Sequence, residues 1–237
     1  MTSKNSAFHE QGIAGVFLTP LKWFCISLML LLGLILAAWI IDWVFVFRVW
    51  PAGIAGLQSI LEQDIARTYL IECSYSDLPK LAAGMANLLY SLIFRATGIH
   101  EMGVRFAEGA ALSMPDTIVR SAYLENFEEV QVAMLGTQLI GVRLATLIVV
   151  LPLIALAYAV AMADGLVQRA IRRVSGGRES SSIYHRAKYL QFVLVIASMA
   201  IFLLWPSSID FPAMSSIALA IAAVLVRVQW SYYKKHL

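Results

Sequence analysis

"LATLIVVLPLIALAYAVAMA", residues Leu144–Ala163, runs for 20 residues without a charged side chain. At the helical rise of about 1.5 Å per residue it reaches about 30 Å, the thickness of a bilayer's hydrocarbon core. Three further apolar runs accompany it: Trp23–Ile41, Tyr189–Trp205 and Ala213–Val226. The last is short unless snorkelling side chains extend it through Arg227 to Tyr233. The whole chain is 60% hydrophobic and 14% charged, whereas soluble domains are about half apolar and a quarter charged. Much of the surface is therefore expected to face lipid. These features predict an all-α, polytopic integral membrane protein of about four transmembrane helices. The run Trp23–Ile41 exceeds the roughly 7 to 15 residues of a secretory h-region and no small-x-small cleavage site follows it, so it is expected to stay as an anchor.

The runs divide the chain into an N-terminal segment (1–22), a first span (23–47), a long insert (48–143), a second span (144–164), a basic loop (165–188), a third span (189–205), a short turn (206–212), a fourth span (213–230) and a tail (231–237). Between the second and third spans, Arg169, Arg172, Arg173, Arg178, Arg186 and Lys188 face only Asp164 and Glu179, six cations against two acids for a net of +4. The N-terminal segment and the tail, which an even number of spans puts on the same side, are also basic. The positive-inside rule makes that side cytoplasmic, with both termini, and the insert periplasmic. The insert carries seven basic and ten acidic residues, a net of −3, which is compatible with that orientation. Trp23, Trp43, Trp50, Tyr189, Trp205, Trp230, Tyr232 and Tyr233 lie near span ends, where aromatic side chains anchor at the interface.

The insert lacks the alternation of strands and reads as helical. Asp77-Leu78-Pro79 has the form of a helix start, with Asp77 as cap and Pro79 in the first turn. Leu81, Met85, Leu88, Leu89, Leu92 and Ile93 recur at helical spacing up to a stop near Gly98. A second start at Ser113-Met114-Pro115 leads without a breaker toward the second span. The expected result is a compact helical cap close to the membrane, too small and too helical for a typical hydrolase.

No catalytic or cofactor site assembles from the residues. His100-Glu101 lacks the second histidine of a zinc motif, since position 104 is Val104. "SGGRES" has no lysine in the phosphate-loop position, and G-x-S-x-G is absent. Cys25 and Cys73 lie in different environments and are not expected to pair. Asp42 lies at the end of the first span beside Trp43, where water or Arg48 is expected to stabilise its charge. No other ionisable residue is expected deep in the later spans, which disfavours the alternative of a small membrane transporter or channel. The small residues of "ALAYAVAMADG", Ala155–Gly165, and "SSIALAIAA", Ser215–Ala223, suit close helix packing within the chain or in a homo-oligomer.

The basic loop holds the one segment whose order exceeds what topology requires. Gly176-Gly177 can end one helix and Ser180, Ser181 or Ser182 can cap the next. Its cations attract anionic membrane lipids at roughly 1 kcal/mol each. In "GGRESSSIYHRAK", Gly176–Lys188, and in the plan of one early span, a long helical insert and later spans, the chain resembles the integrating conjugative element membrane proteins, multi-span proteins of conjugative plasmids and integrative elements. The resemblance implies a role in a type IV secretion system that moves DNA between bacteria, at the inner membrane. It brings no catalytic residue and no cofactor. On this reading Arg178, Glu179, Tyr184, His185, Arg186 and Lys188 are docking residues for the conjugative coupling ATPase or another secretion-system subunit. Sequence-specific nucleic-acid binding is not expected, because a net of four positive charges can touch phosphates but few aromatics are available as a stacking platform.

Overall fold

The computed structural model describes residues 3–71, 77–107, 114–175 and 181–233. Among the described residues the ordered elements are helices: α1 (Ser3–Val44), α2 (Ile54–Thr68), α3 (Leu78–Tyr90), α4 (Ile99–Ala107), α5 (Met114–Glu125), α6 (Phe127–Val174), α7 (Ser181–Leu204) and α8 (Phe211–Ser231), with single π-helical turns at Phe45–Val49 and Ser91–Arg95. Four helices are long and apolar enough to cross a membrane, within Lys22–Val49, Phe127–Val174, Ser182–Leu204 and Phe211–Ser231. The chain is an all-α membrane protein.

The organising element is α6. Its 48 residues extend for about 72 Å, more than twice a hydrocarbon core, and α1, α2, α3 and α8 all pack along it. The helix continues through Pro152. It does not continue back to Pro115: α5 ends at Glu125 and Asn126 leaves helical geometry at φ −109°. There the Asn126 side-chain amide donates to the Ala122 carbonyl at 2.8 Å, a local bond that competes with the helical ladder.

Asp77 caps α3 as its sequence indicates, accepting from the Lys80 N–H at 3.3 Å and pairing with its ammonium at 2.7 Å. The hydrogen bonds from Lys80 hold the Asp77 carboxyl below the usual carboxylate range. The cap is therefore present at neutral pH and is lost as pH falls through that lowered value. Gly98, at φ +77°, ends the segment after the π-helical turn. The buried face of α3 is turned from the expected one: Leu78, Ala82 and Leu89 are buried, while Leu88 and Leu92 are exposed. Its partner decides this. A Cβ on Gly141 would stand 2.5 Å from the Ala86 Cα, so α3 meets α6 backbone to backbone along its small side chains.

This contact also places the insert. Ala86 lies at Gly141 and Tyr90 at Met134, so α3 runs antiparallel to α6. Eight residues earlier, about 12 Å, Leu78 shares a core cluster with Val149. On the other arm of the hairpin, Thr68 and Ile71 line a small cavity together with Val142 and Thr146. Thus α2 and α3 run back along α6 and cover the start of the second apolar run, where Ala145 and Val149 are buried with Leu57 and Leu78. The α7–α8 hairpin closes the bundle, with Phe202 and Phe211 ring to ring at 4.2 Å.

Gly141→Val is expected to lower stability by about 1–3 kcal/mol through overpacking against Ala86. Gly84→Ala, with open space around its Cβ, is expected to raise it by about 0.5–1 kcal/mol through helix propensity. Thermal unfolding of the two variants in detergent measures both.

Candidate functional site

Polar groups concentrate at the two ends of the bundle formed by α6, α7 and α8. At the end near the insert, Arg143 of α6 is 2% exposed. Its Nε donates to Asp64 Oδ2 of α2 at 2.8 Å. One terminal nitrogen donates to the carbonyls of Trp205 at 2.8 Å and Leu203 at 3.4 Å, and the other to the Ser207 carbonyl at 2.8 Å. The Ser208 hydroxyl then donates to the second Asp64 oxygen at 2.7 Å. The planar guanidinium offers five N–H donors, and here it serves the carbonyls left open where α7 ends. One side chain thus ties α2, α6 and the α7–α8 turn together. The sequence reading treats Arg143 as the edge of the insert and expects no buried charge in the later spans; the structure corrects this, because the α2–α3 hairpin encloses that edge. The legible signal was a lone arginine inside "GTQLIGVRLATLIVV".

Asp42 also differs from its expected setting. It is 3% exposed, while Arg48 is exposed to solvent. Gly136 of α6 lacks the Cβ that would stand 2.5 Å from Asp42 Oδ2, and Trp39 adjoins the same notch. The Trp39 indole donates to the Thr137 hydroxyl at 3.0 Å. Asp42 therefore lies seven residues, about 10 Å, from Arg143 toward the insert, shielded by helix packing instead of solvated. Within the insert, the Tyr90 hydroxyl pairs with His100 Nδ1 at 2.9 Å, which gives that histidine an interface role.

At the opposite end, Tyr232 and Tyr233, which follow α8, pack against α6. The Arg172 guanidinium carbon lies 3.8 Å from the Tyr232 ring centroid, and that of Arg169 lies 5.3 Å from Tyr233. Tyr233 also meets Trp230 at 5.5 Å and Tyr184 at 5.8 Å. A Cβ on Gly165 would collide with the Arg227 carbonyl at 2.7 Å, so a glycine is needed where α8 approaches α6 so closely. Trp230, Tyr232 and Tyr233 therefore pack on arginines and one another as well as lying near a span end.

Of the six expected docking residues, Arg178 and Glu179 lie outside the described residues. Tyr184 is half-buried between His185 and Tyr233, a packing position. His185, Arg186 and Lys188 are exposed on the first turns of α7, with Ala187 among them buried. Arg173 of α6 is exposed at the same end. Cys25 is exposed and free; Cys73 lies outside the described residues.

Arg143→Met is expected to cost about 3–5 kcal/mol, because Asp64 would stay buried without its cation. The double variant with Asp64→Asn should lose less than the two single losses added together. A double-mutant cycle on detergent unfolding measures the coupling, and strictly additive losses would contradict the node.

Neither a curated protein nor a solved structure matches the chain. A family model described as "IncC plasmid conjugative DNA transfer protein DtrJ-like" matches residues 56–234. That stretch holds the α2–α3 hairpin, the Asp64–Arg143 node, the later spans and the Gly176–Lys188 motif whose resemblance pointed to conjugative elements. The chain belongs to the DtrJ-like family of conjugative DNA transfer proteins of IncC plasmids.

Proposed function

We propose that this protein is an inner-membrane structural component of a type IV secretion apparatus for conjugation, with its basic end in the cytoplasm docking the coupling ATPase or another subunit. Membership in a conjugative DNA transfer family carries the reading. Two physical features support it. Arg186 and Lys188, on the first turns of α7, are exposed where an acidic surface can meet them, whereas Arg169 and Arg172 are engaged with Tyr233 and Tyr232. The body behind them is braced by a buried ion pair, as suits a fixed platform. Charge at such a surface acts mainly on encounter and partner choice.

Removing the charges together, as Arg178→Gln, Arg186→Gln and Lys188→Gln, should leave membrane insertion intact while reducing conjugation and co-purification of the coupling ATPase. Unchanged transfer would discard the docking role. For orientation, Ser182→Cys in a Cys25→Ser, Cys73→Ser background should react with an impermeant maleimide only after the inner membrane is opened. Labelling in spheroplasts with intact membranes would invert the topology. Ion or proton flux in reconstituted vesicles that Asp42→Asn abolished would replace docking with transport.

A further inference from the structure

Between α6 and α8 an open groove of about 570 Å³ lies within the membrane-spanning segments. Leu153, Leu156, Ala157, Val160, Ala161 and Ala223 line it, and Asp164 and Arg227 stand at one end. Those two form an ion pair between the helices, with side chains 45% and 51% exposed respectively. Each retains unused capacity, since a carboxylate accepts at about four sites and a guanidinium donates five N–H bonds. Just beyond, the close approach of α8 to Gly165 shuts the groove.

Its dimensions select the occupant. From Leu153 to Asp164 is eleven residues, about 17 Å along α6, close to half of the roughly 30 Å hydrocarbon core. A helix from a second copy crossing the bilayer would want an apolar face of full thickness. A lipid of one leaflet wants half that length, with charge at one end only. We propose that this groove binds one phospholipid of the leaflet on the basic side, with an amine-bearing zwitterionic headgroup lying across Asp164 and Arg227. An acyl chain occupies the apolar channel, the phosphate accepts from Arg227, and the headgroup ammonium donates to Asp164. Both members of the protein pair thereby keep an opposite charge. An anionic glycerol headgroup satisfies Arg227 but brings no cation to Asp164.

The full-length protein, stripped of lipid in detergent and returned to nanodiscs of equal phosphatidylethanolamine and phosphatidylglycerol, tests this by native mass spectrometry of retained lipid. Wild type should retain phosphatidylethanolamine over phosphatidylglycerol by about three- to fivefold, the size of one exposed ion pair. Asp164→Asn should erase that preference while keeping a lipid bound, and Arg227→Gln should reduce retention of both. Ala157→Phe, which fills the channel, should reduce retention of either lipid at unchanged unfolding temperature. Equal retention of the two lipids by wild type, or Ala157→Phe retaining lipid as wild type does, overturns the site. Efficient disulfide cross-linking of Val160→Cys between copies would assign the groove to a second molecule and overturn it as well. None of these readouts depends on conjugation, so the docking role stands or falls separately.

Discussion

A guanidinium cannot shed its charge inside a protein, and Arg143 is almost wholly withdrawn from solvent. Everything around it is arranged to meet that constraint. Asp64 must come from the insert, three carbonyls must come from the end of α7 and the turn beyond, and Ser208 must complete the carboxylate. Burying an ion pair is a poor source of net stability compared with an apolar replacement, but breaking one is costly. The node therefore acts chiefly on specificity: it selects one register of α2 against α6 and one conformation of the α7–α8 turn. In a bundle whose core clusters consist mostly of Leu, Ile, Val and Ala side chains, such a fixed point helps exclude neighbouring packings that dispersion forces alone would separate only weakly.

The distance between polar groups along α6 connects this node to the membrane. Asp164, paired with Arg227, follows Arg143 by 21 residues, about 32 Å, which matches the hydrocarbon thickness. From Asp210, which caps α8, to Arg227 is about 26 Å, a comparable length. The apolar stretches of α6, α7 and α8 are thus bounded at one end by the buried network and at the other by an ion pair and an arginine–tyrosine cluster. The basic end differs in kind from the other. Some of its cations are spent on the tail's aromatic rings, and others on the first turns of α7 remain open. That division leaves fewer exposed cations among the described residues than the net charge of the loop suggests.

Much of the architecture was legible in the chain. A run of 20 uncharged residues at Leu144–Ala163 has no other economical solution than a buried or spanning helix, because backbone amides in lipid must bond within their own segment. The Asp77 cap with Pro79 behind it and the stop at Gly98 are local chemistry, readable because each acts on residues within one turn. The motif Gly176–Lys188 carried the conjugative affiliation because its order of residues exceeds what a topogenic charge cluster needs.

What the amino-acid order determined by itself was whatever depends on neighbours along the chain: helix content, four membrane-competent segments, local caps and the sign of charge at each end. What only the tertiary structure decided was the fate of single residues whose environment comes from far away. Arg143 and Asp64 are 79 positions apart, and Asp42 and Gly136 are nearly a hundred apart; no periodicity links such pairs. The return of α2 and α3 along α6 converted an edge arginine into a buried one, and the packing of α1 on α6 at Gly136 converted a solvated acid into a shielded one. The physical reason is that solvation and electrostatic environment are properties of the surrounding volume, which is assembled from several helices and is specified by none of them alone.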